Sequence, residues 1–138
     1  MYKIITMLFL VGFSSSVFAE WNAIFSDSTT NFYADTSSVH KNGDIVTVST
    51  IFDLKASGKL EGSNSFFSLK GKNELDCKQG KSRTSEIYFY SENMGRGIVV
   101  RKMIDKSAGW EPISPRSPVD ALWNFACGSN ISEEQQSN

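Results

Sequence analysis

The chain has only two cysteines, Cys77 and Cys127, and a single histidine, His40. A zinc site needs about four ligands, and a redox dithiol usually has its cysteines in a Cys-x-x-Cys motif, so neither site is expected. The sequence also lacks a Gly-x-Ser-x-Gly elbow and a phosphate-binding loop. His40 lies in a polar, turn-like stretch, where a solvated loop histidine is the default interpretation. The sequence therefore predicts a non-catalytic protein with no metal or other cofactor.

The sequence also has no excess of positive charge. The chain has 14 basic and 15 acidic residues, for a formal net charge of −1. A dedicated nucleic-acid or anionic-membrane binder normally has a clear basic excess. We therefore expect no nucleic-acid partner.

The first long apolar run is too short to span a membrane. It covers residues 4–13, follows Lys3 and leads into small residues that end at Ala19. A transmembrane helix needs about 20 apolar residues, whereas this pattern is typical of a cleaved signal peptide. We predict a signal peptide over residues 1–19, and hence an exported protein in the periplasm, secreted, or at the cell surface. No lipid anchor is expected, because no cysteine follows the cleavage site, and no transmembrane segment is expected after cleavage.

The remaining chain is predicted to form one domain and a tail. Residues 20–128 carry the apolar patterns of a folded domain. Residues 129–138 are polar and unpatterned, so we expect them to be disordered.

Alternating apolar and polar residues predict a sheet. The clearest strand covers residues 67–77, where Gly71 suggests a bulge or bend in place of an unbroken strand. Further strands are predicted over residues 21–26, 31–34, 45–54, 84–90 and 97–103. One helix is predicted between an N-cap at Ser117, followed by Pro118, and a stop at Gly128. The predicted fold is α+β, with an antiparallel sheet of about six short strands and one C-terminal helix packed on it.

Two periodicities direct the cysteines to the same interface. Helical spacing places Cys127 on the apolar face with Val119, Leu122, Trp123 and Ala126, and strand alternation places Cys77 on the apolar side of its strand. Disulfides are stable in oxidising compartments outside the cytoplasm. We therefore predict a Cys77–Cys127 disulfide that links helix to sheet.

A local group of basic residues is a candidate ligand-binding patch on adjacent strands. Its members are Lys70, Lys72, Lys78, Lys81, Arg83, Arg96, Arg101 and Lys102. Such a patch would hold a sulfated polysaccharide or an acidic protein surface. The alternative is an ordinary solvated face, because Glu74, Asp76, Glu86 and Asp105 are interleaved with these residues.

The aromatic residues also allow two interpretations. Phe66, Phe67, Tyr88, Phe89 and Tyr90 are suited to a stacking platform for bases or sugars. More often, such residues fill the core of a sheet and leave a few tyrosine hydroxyls at its rim.

The order of residues resembles the bacterial surface-adhesin protein E family. The most specific matching parts are Tyr-Ser-x-Asn-Met-Gly at residues 90–95 and Leu-Trp-x-Phe-x-Cys at residues 122–127. Family members are small exported domains with an antiparallel sheet and a C-terminal helix, and the resemblance implies that Cys77 and Cys127 are the family's paired cysteines.

The resemblance also implies a partner class. It suggests an adhesin-like domain that binds host extracellular-matrix or plasma proteins such as laminin and vitronectin. The alternative is a soluble periplasmic factor that binds an envelope protein, either to inhibit an envelope enzyme or to support envelope maintenance. An exposed sheet edge would allow a dimer.

Overall fold

The structure, a computed structural model, describes residues 18–62 and 64–128. The predicted tail and nearly all of the predicted signal peptide lie outside the described residues. The strands are β1 (Trp21–Ser26), β2 (Thr30–Asp35), β3 (His40–Asn42), β4 (Ile45–Lys59), β5 (Ser65–Asp76), β6 (Lys81–Tyr90), β7 (Val99–Ile104) and β8 (Glu111–Pro112). The helix α1 is Pro118–Cys127, and single 3₁₀ turns cover Thr36–Ser38 and Asn93–Gly95.

These strands form one antiparallel sheet in the order β1-β2-β4-β5-β6-β7, with β3 paired to β4 and β8 paired to β6. The predicted antiparallel sheet with one C-terminal helix is confirmed. The described residues contain eight strands instead of about six. The additional strands, β3 and β8, are too short to show an alternating pattern. His40 begins β3 and is exposed, so its predicted place in a loop was wrong.

The β4–β5 hairpin is the centre of the sheet. Gly71 pairs with Thr50, and the register between β4 and β5 does not shift at this pair. The irregularity lies in the neighbouring β5–β6 ladder, where Ser85 is an extra residue between the pairs of Lys72 and Asn73. The prediction of a bulge or bend at Gly71 was therefore wrong, because β5 continues unbroken through this residue. A Cβ on Gly71 would lie 3.3 Å from the Thr50 hydroxyl oxygen, so glycine is suited to this close approach.

Helix α1 covers one face of the sheet over β1, β4 and β5. Its start is capped as predicted, because the Ser117 side chain accepts a hydrogen bond from the Asp120 amide at 3.1 Å. Leu122 and Ala126 are buried in a cluster with sheet residues. The sheet contributes Phe32, Ala34, Val46, Val48 and Leu75 to this cluster. The predicted apolar face of the helix is confirmed.

The predicted disulfide between Cys77 and Cys127 is present. Cys77 follows the last residue of β5, and Cys127 is the last residue of α1. Their Cα atoms are 5.5 Å apart, which is a usual spacing for a disulfide. The bond fixes the end of the helix to the end of the central hairpin.

A loop covers one end of the opposite face. The Ser68 hydroxyl donates to the Glu92 carbonyl at 2.6 Å and accepts from the Gly95 amide at 2.9 Å. Gly95 has a positive φ of 68° and lies over buried Ile51. We call residues 91–97 the covering loop. It contains most of the Tyr-Ser-x-Asn-Met-Gly segment, whose residues therefore have a clear structural role here.

Within residues 18–62 and 64–128, the one α-helix is too short to cross a membrane.

Candidate functional site

The face of the sheet away from α1 is left open beyond the covering loop. The cross-strand pairs Ile51–Lys70, Lys70–Tyr88 and Tyr88–Lys102 place these side chains on one side of the sheet. We call this surface the open face. Its side chains are Trp21, Ser49, Lys70, Lys72, Glu86, Tyr88, Tyr90 and Lys102.

A depression of about 250 Å³ lies near the centre of the open face. Side chains from three adjacent strands and the backbone at Gly71 surround it. The lining side chains are those of Ser49, Lys70, Lys72, Glu86, Tyr88 and Tyr90. The depression therefore combines ammonium groups, hydroxyls, one carboxylate and two aromatic rings.

Three lysines of the open face lie beside aromatic rings or, for Lys72, beside the cross-strand neighbour Glu86. Lys70 Nζ lies 5.7 Å from the ring centroid of Trp21, and Lys102 Nζ lies 5.9 Å from that of Tyr88. Both distances fall within the range of cation–π attraction. Within the described part of the chain, neither these lysines nor Lys72 forms a salt bridge. Their ammonium groups are thus available to an anionic partner.

Arg83 differs from these lysines because its charge is already used within the fold. Its Nε donates a hydrogen bond to a Glu74 carboxylate oxygen, and the two form a salt bridge. Its guanidinium carbon also lies 4.2 Å from the ring centroid of Trp110. Arg83 therefore links β5 and β6 to the segment before β8, which is a structural role.

The structure divides the predicted basic residues between the two sides of the sheet and the loops at its ends. Lys78 and Lys81 lie at the turn between β5 and β6, and Arg96 lies in the covering loop at the other end of the face. Arg101 pairs with Phe89, so its side chain projects to the opposite side from that of Lys102. Lys70, Lys72 and Lys102 lie beside the aromatic residues of the open face. Arg83 and Lys81 pair with Glu74 and Asp76, so they project to the same side of the sheet but nearer the β5–β6 turn. Ligand binding by any of these basic residues stays a prediction.

Most of the interleaved acidic residues have partners within the fold. Glu74 pairs with Arg83. Asp76 accepts hydrogen bonds from two backbone amides of the following turn, and Asp105 accepts two from Ser107. Glu86 is different, because it lines the depression and forms no salt bridge among the described residues.

The predicted aromatic group divides between core and surface. Phe66 and Phe89 are buried and meet edge to face, with ring centroids 5.0 Å apart. Tyr88 and Tyr90 are half-buried and line the depression. Phe66 and Phe89 therefore fit the core interpretation, and stacking of a ligand on Tyr88 or Tyr90 stays a prediction.

Sequence reasoning missed Trp21 and Ser49 as members of the open face. Both lie on predicted strands, and their alternation is visible in the sequence. Their side relative to Lys70 depends on the strand order and on the register between β1, β2, β4 and β5. No local signal contains that information.

A second exposed feature is the edge strand β7. Among the described residues, β7 pairs only with β6. Met103 and Ile104 near its end are 48% and 52% exposed, and Ile98 just before it is 66% exposed. Unpaired backbone groups beside exposed apolar side chains favour pairing with another strand. The dimer stays a prediction, and light scattering of the purified protein would test it.

Within residues 18–62 and 64–128, no three His, Cys, Asp or Glu side chains are grouped as metal ligands would be.

Comparison with known proteins bears directly on the fold and the family. The sequence model described as surface-adhesin protein E matches residues 21–128. Among curated proteins, none matches the chain.

Solved structures of Haemophilus influenzae protein E have a similar fold. One has a TM-score of 0.61 at 15% sequence identity, over 85% of this chain and 90% of that chain. A structure of protein E from non-typeable Haemophilus influenzae has a TM-score of 0.57 at 15% identity, over 89% of this chain and 82% of that chain. At this identity the likeness concerns the fold alone.

Proposed function

The chain belongs to the surface-adhesin protein E family, and we propose that it is an exported, non-catalytic, adhesin-like protein that binds host proteins. The proposed partners are extracellular-matrix or plasma proteins of the laminin and vitronectin type. The observation that carries this proposal, beside family membership, is the open face. It presents three lysines that form no salt bridge with described residues, next to half-buried aromatic rings.

The contrast between Arg83 and the open-face lysines supports a binding role. A charge that stabilises the fold has a partner, as Arg83 has in Glu74 and Trp110. Lys70 and Lys102 lie beside aromatic rings, and Lys72 lies beside Glu86 without forming a salt bridge. Their ammonium groups can therefore form charge-assisted contacts with anionic groups of a partner. Aromatic residues are enriched at protein interfaces, because they bury a large apolar area while keeping a polar atom accessible.

Binding to immobilised laminin and vitronectin tests this proposal. Purified chain beginning at Glu20 is expected to bind at least one of them saturably, with affinity that falls as salt screens the lysines. The triple variant Lys70→Gln, Lys72→Gln, Lys102→Gln is expected to weaken binding about tenfold or more. The matched control Lys41→Gln, Lys78→Gln, Arg101→Gln removes the same charge outside the open face and is expected to have a much smaller effect.

Absence of saturable binding to both host proteins would contradict the proposal. Equal losses in the two triple variants would instead show that net charge, and not the open face, controls binding.

Surface display is part of the same proposal and has its own test. Protease added to intact cells is expected to digest the endogenous protein while a periplasmic marker survives. Protection until the outer membrane is opened would place the protein in the periplasm. That outcome would favour the alternative function, in which the partner is an envelope protein.

A further inference from the structure

We propose that the depression on the open face binds one acidic sugar residue, a pyranose ring with a carboxylate, at the end of a host glycan. The inference rests on the proposed function, because it names the chemical group of a host glycoprotein that this surface would recognise. It also concerns a specific part of that surface, namely the lining from Ser49 on β4 to Tyr90 on β6.

The size of the depression limits its occupant. Its volume is about 250 Å³, and pockets for drug-sized ligands usually measure about 300 to 1,000 Å³. One sugar ring is therefore a suitable size, whereas a folded protein segment is too large. The open side of the depression would leave the rest of a glycan chain in solvent.

The lining groups match the functional groups of such a sugar. Lys70 and Lys72 provide ammonium donors for a carboxylate. The carboxylate of Glu86 and the hydroxyl of Ser49 can accept hydrogen bonds from ring hydroxyls. The rings of Tyr88 and Tyr90 provide apolar surface against which the C–H groups of a sugar ring can pack.

Glu86 argues against a polyanion in this position. It lines the same depression as the two lysines and forms no salt bridge among the described residues. A sulfated chain, or a row of acidic side chains, would bring several negative charges near this carboxylate, and like charges repel. A ligand with one negative charge and several hydroxyl donors instead satisfies both lysines and Glu86.

Glucuronate and glucose provide a matched pair of probes. The two sugars differ only at C6, where glucuronate has a carboxylate and glucose has a hydroxymethyl group. Ligand-observed NMR with purified chain beginning at Glu20 is expected to detect glucuronate or N-acetylneuraminate, with glucose binding at least fivefold more weakly. Preference for glucuronate would indicate a glycosaminoglycan end as the source, and preference for N-acetylneuraminate would indicate a glycoprotein glycan. Equal signals from glucose and both acidic sugars would overturn the proposal.

Three variants locate the site. Lys70→Met and Lys72→Met are each expected to weaken binding of the preferred acidic sugar about fivefold or more, and Lys78→Met in the β5–β6 turn is the matched control. Glu86→Gln is expected to weaken acidic-sugar binding while strengthening binding of a heparin oligosaccharide. Unchanged sugar binding in both lysine variants, with circular dichroism showing that they are folded, would overturn the proposal. Tighter binding of heparin or of an acidic peptide than of either acidic sugar to the unmodified chain would also overturn it.

The failure of this inference is distinguishable from the failure of the proposed function. If host-protein binding persists after enzymatic removal of acidic sugars and the chain binds neither sugar probe, the sugar site is wrong and host-protein binding stands. If the chain binds an acidic sugar through Lys70 and Lys72 but binds neither laminin nor vitronectin, the sugar site stands and the proposed protein partners are wrong.

Discussion

The side-chain carboxylate of Asp53 accepts a hydrogen bond from the backbone amide of Met94 at 2.8 Å, across 41 positions in the sequence. The same oxygen accepts a hydrogen bond from the Asn93 side-chain amide at 3.0 Å. Met94 has a φ of 57°, which is unfavourable for a residue other than glycine by roughly 1–2 kcal/mol. The contacts with Asp53 help to offset that cost and hold the covering loop on the sheet.

Replacing Asp53 with alanine should release this loop. We expect Asp53→Ala to lower the free energy of unfolding by about 1–2 kcal/mol, because two hydrogen bonds to a carboxylate are lost. Amide hydrogen exchange at Met94 and Gly95 should accelerate more than exchange in β4. Asp53→Asn is the control, since it keeps a side-chain oxygen acceptor. Unchanged exchange at Met94 in the alanine variant would contradict this role of Asp53.

Loss of the disulfide should have a larger effect on stability. The bond joins residues separated by 50 positions, for which the chain-entropy model gives about 4 kcal/mol. We expect the variant Cys77→Ala, Cys127→Ala to lose a large part of that value in guanidinium unfolding experiments. Wild-type protein unfolded with reductant should show a similar loss. A difference below about 1 kcal/mol would mean that the bond contributes little to folding.

Asn73 connects two threonines near the core through a buried hydrogen-bond chain. Its side-chain amide donates to the Thr50 hydroxyl at 2.6 Å, and its carbonyl oxygen accepts from the Thr84 hydroxyl at 2.9 Å. Asn73→Ala should lower the free energy of unfolding by about 1–3 kcal/mol, because buried polar groups lose their partners. Thr50→Val should then cost less in the Asn73→Ala background than in the wild type, which a double-mutant cycle measures. Additive effects would show that the two side chains are not coupled.

The buried indole nitrogen of Trp123 has no hydrogen-bond partner among the described residues. Phenylalanine at this position keeps most of the aromatic surface and removes the unsatisfied donor. We therefore expect Trp123→Phe to change the free energy of unfolding by less than about 1 kcal/mol. The neighbouring variant Leu122→Ala should cost about 2–5 kcal/mol, because Leu122 is fully buried. Similar large losses in both variants, measured by urea unfolding, would contradict the prediction for Trp123.

Asp27 should titrate at lower pH than an ordinary aspartate. The backbone amide of Thr29 has the largest effect in lowering the pKa of its carboxyl, followed by the Thr29 hydroxyl and the Thr30 amide. Because the pKa is lowered in the folded state, the associated stability is present above the ordinary pKa of about 3.9. It is lost as the pH falls through the folded-state pKa. Carbon NMR of the Asp27 carboxyl should show a midpoint below 3.9, and a midpoint at or above that value would contradict the prediction.

The elements predicted from the sequence are those with strong local patterns. The alternation through Leu75 and the helical spacing of Leu122 and Ala126 correctly identified the buried side of each element. Because both cysteines belong to these patterns, their disulfide was also predictable. The short strand β3 was not predictable. Its three residues are all exposed, so they show no alternation of apolar and polar side chains that would distinguish a strand from a turn.

The open face was less predictable because its composition depends on register between distant strands. Arg101 and Lys102 are adjacent in the sequence, but only Lys102 pairs with Tyr88 on the open face. Trp21 on β1 and Lys70 on β5 belong to strands that are separated by β2 and β4 in the sheet, yet their side chains meet on the open face. This contact depends on the strand order. Proximity in the sequence therefore suggested that Arg101 and Lys102 share one basic patch, whereas strand pairing places them on opposite sides of the sheet.

The link between Cys77 and Cys127 also couples folding to cellular location. Cytosolic thiols are kept reduced, and disulfides form in oxidising compartments. If the protein is exported as we propose, a newly made chain would lack this covalent constraint inside the cell and remain easier to unfold for passage across the inner membrane. Oxidation after passage would then stabilise the folded form on the side where the protein acts, so that the two sulfur atoms would help to make export directional.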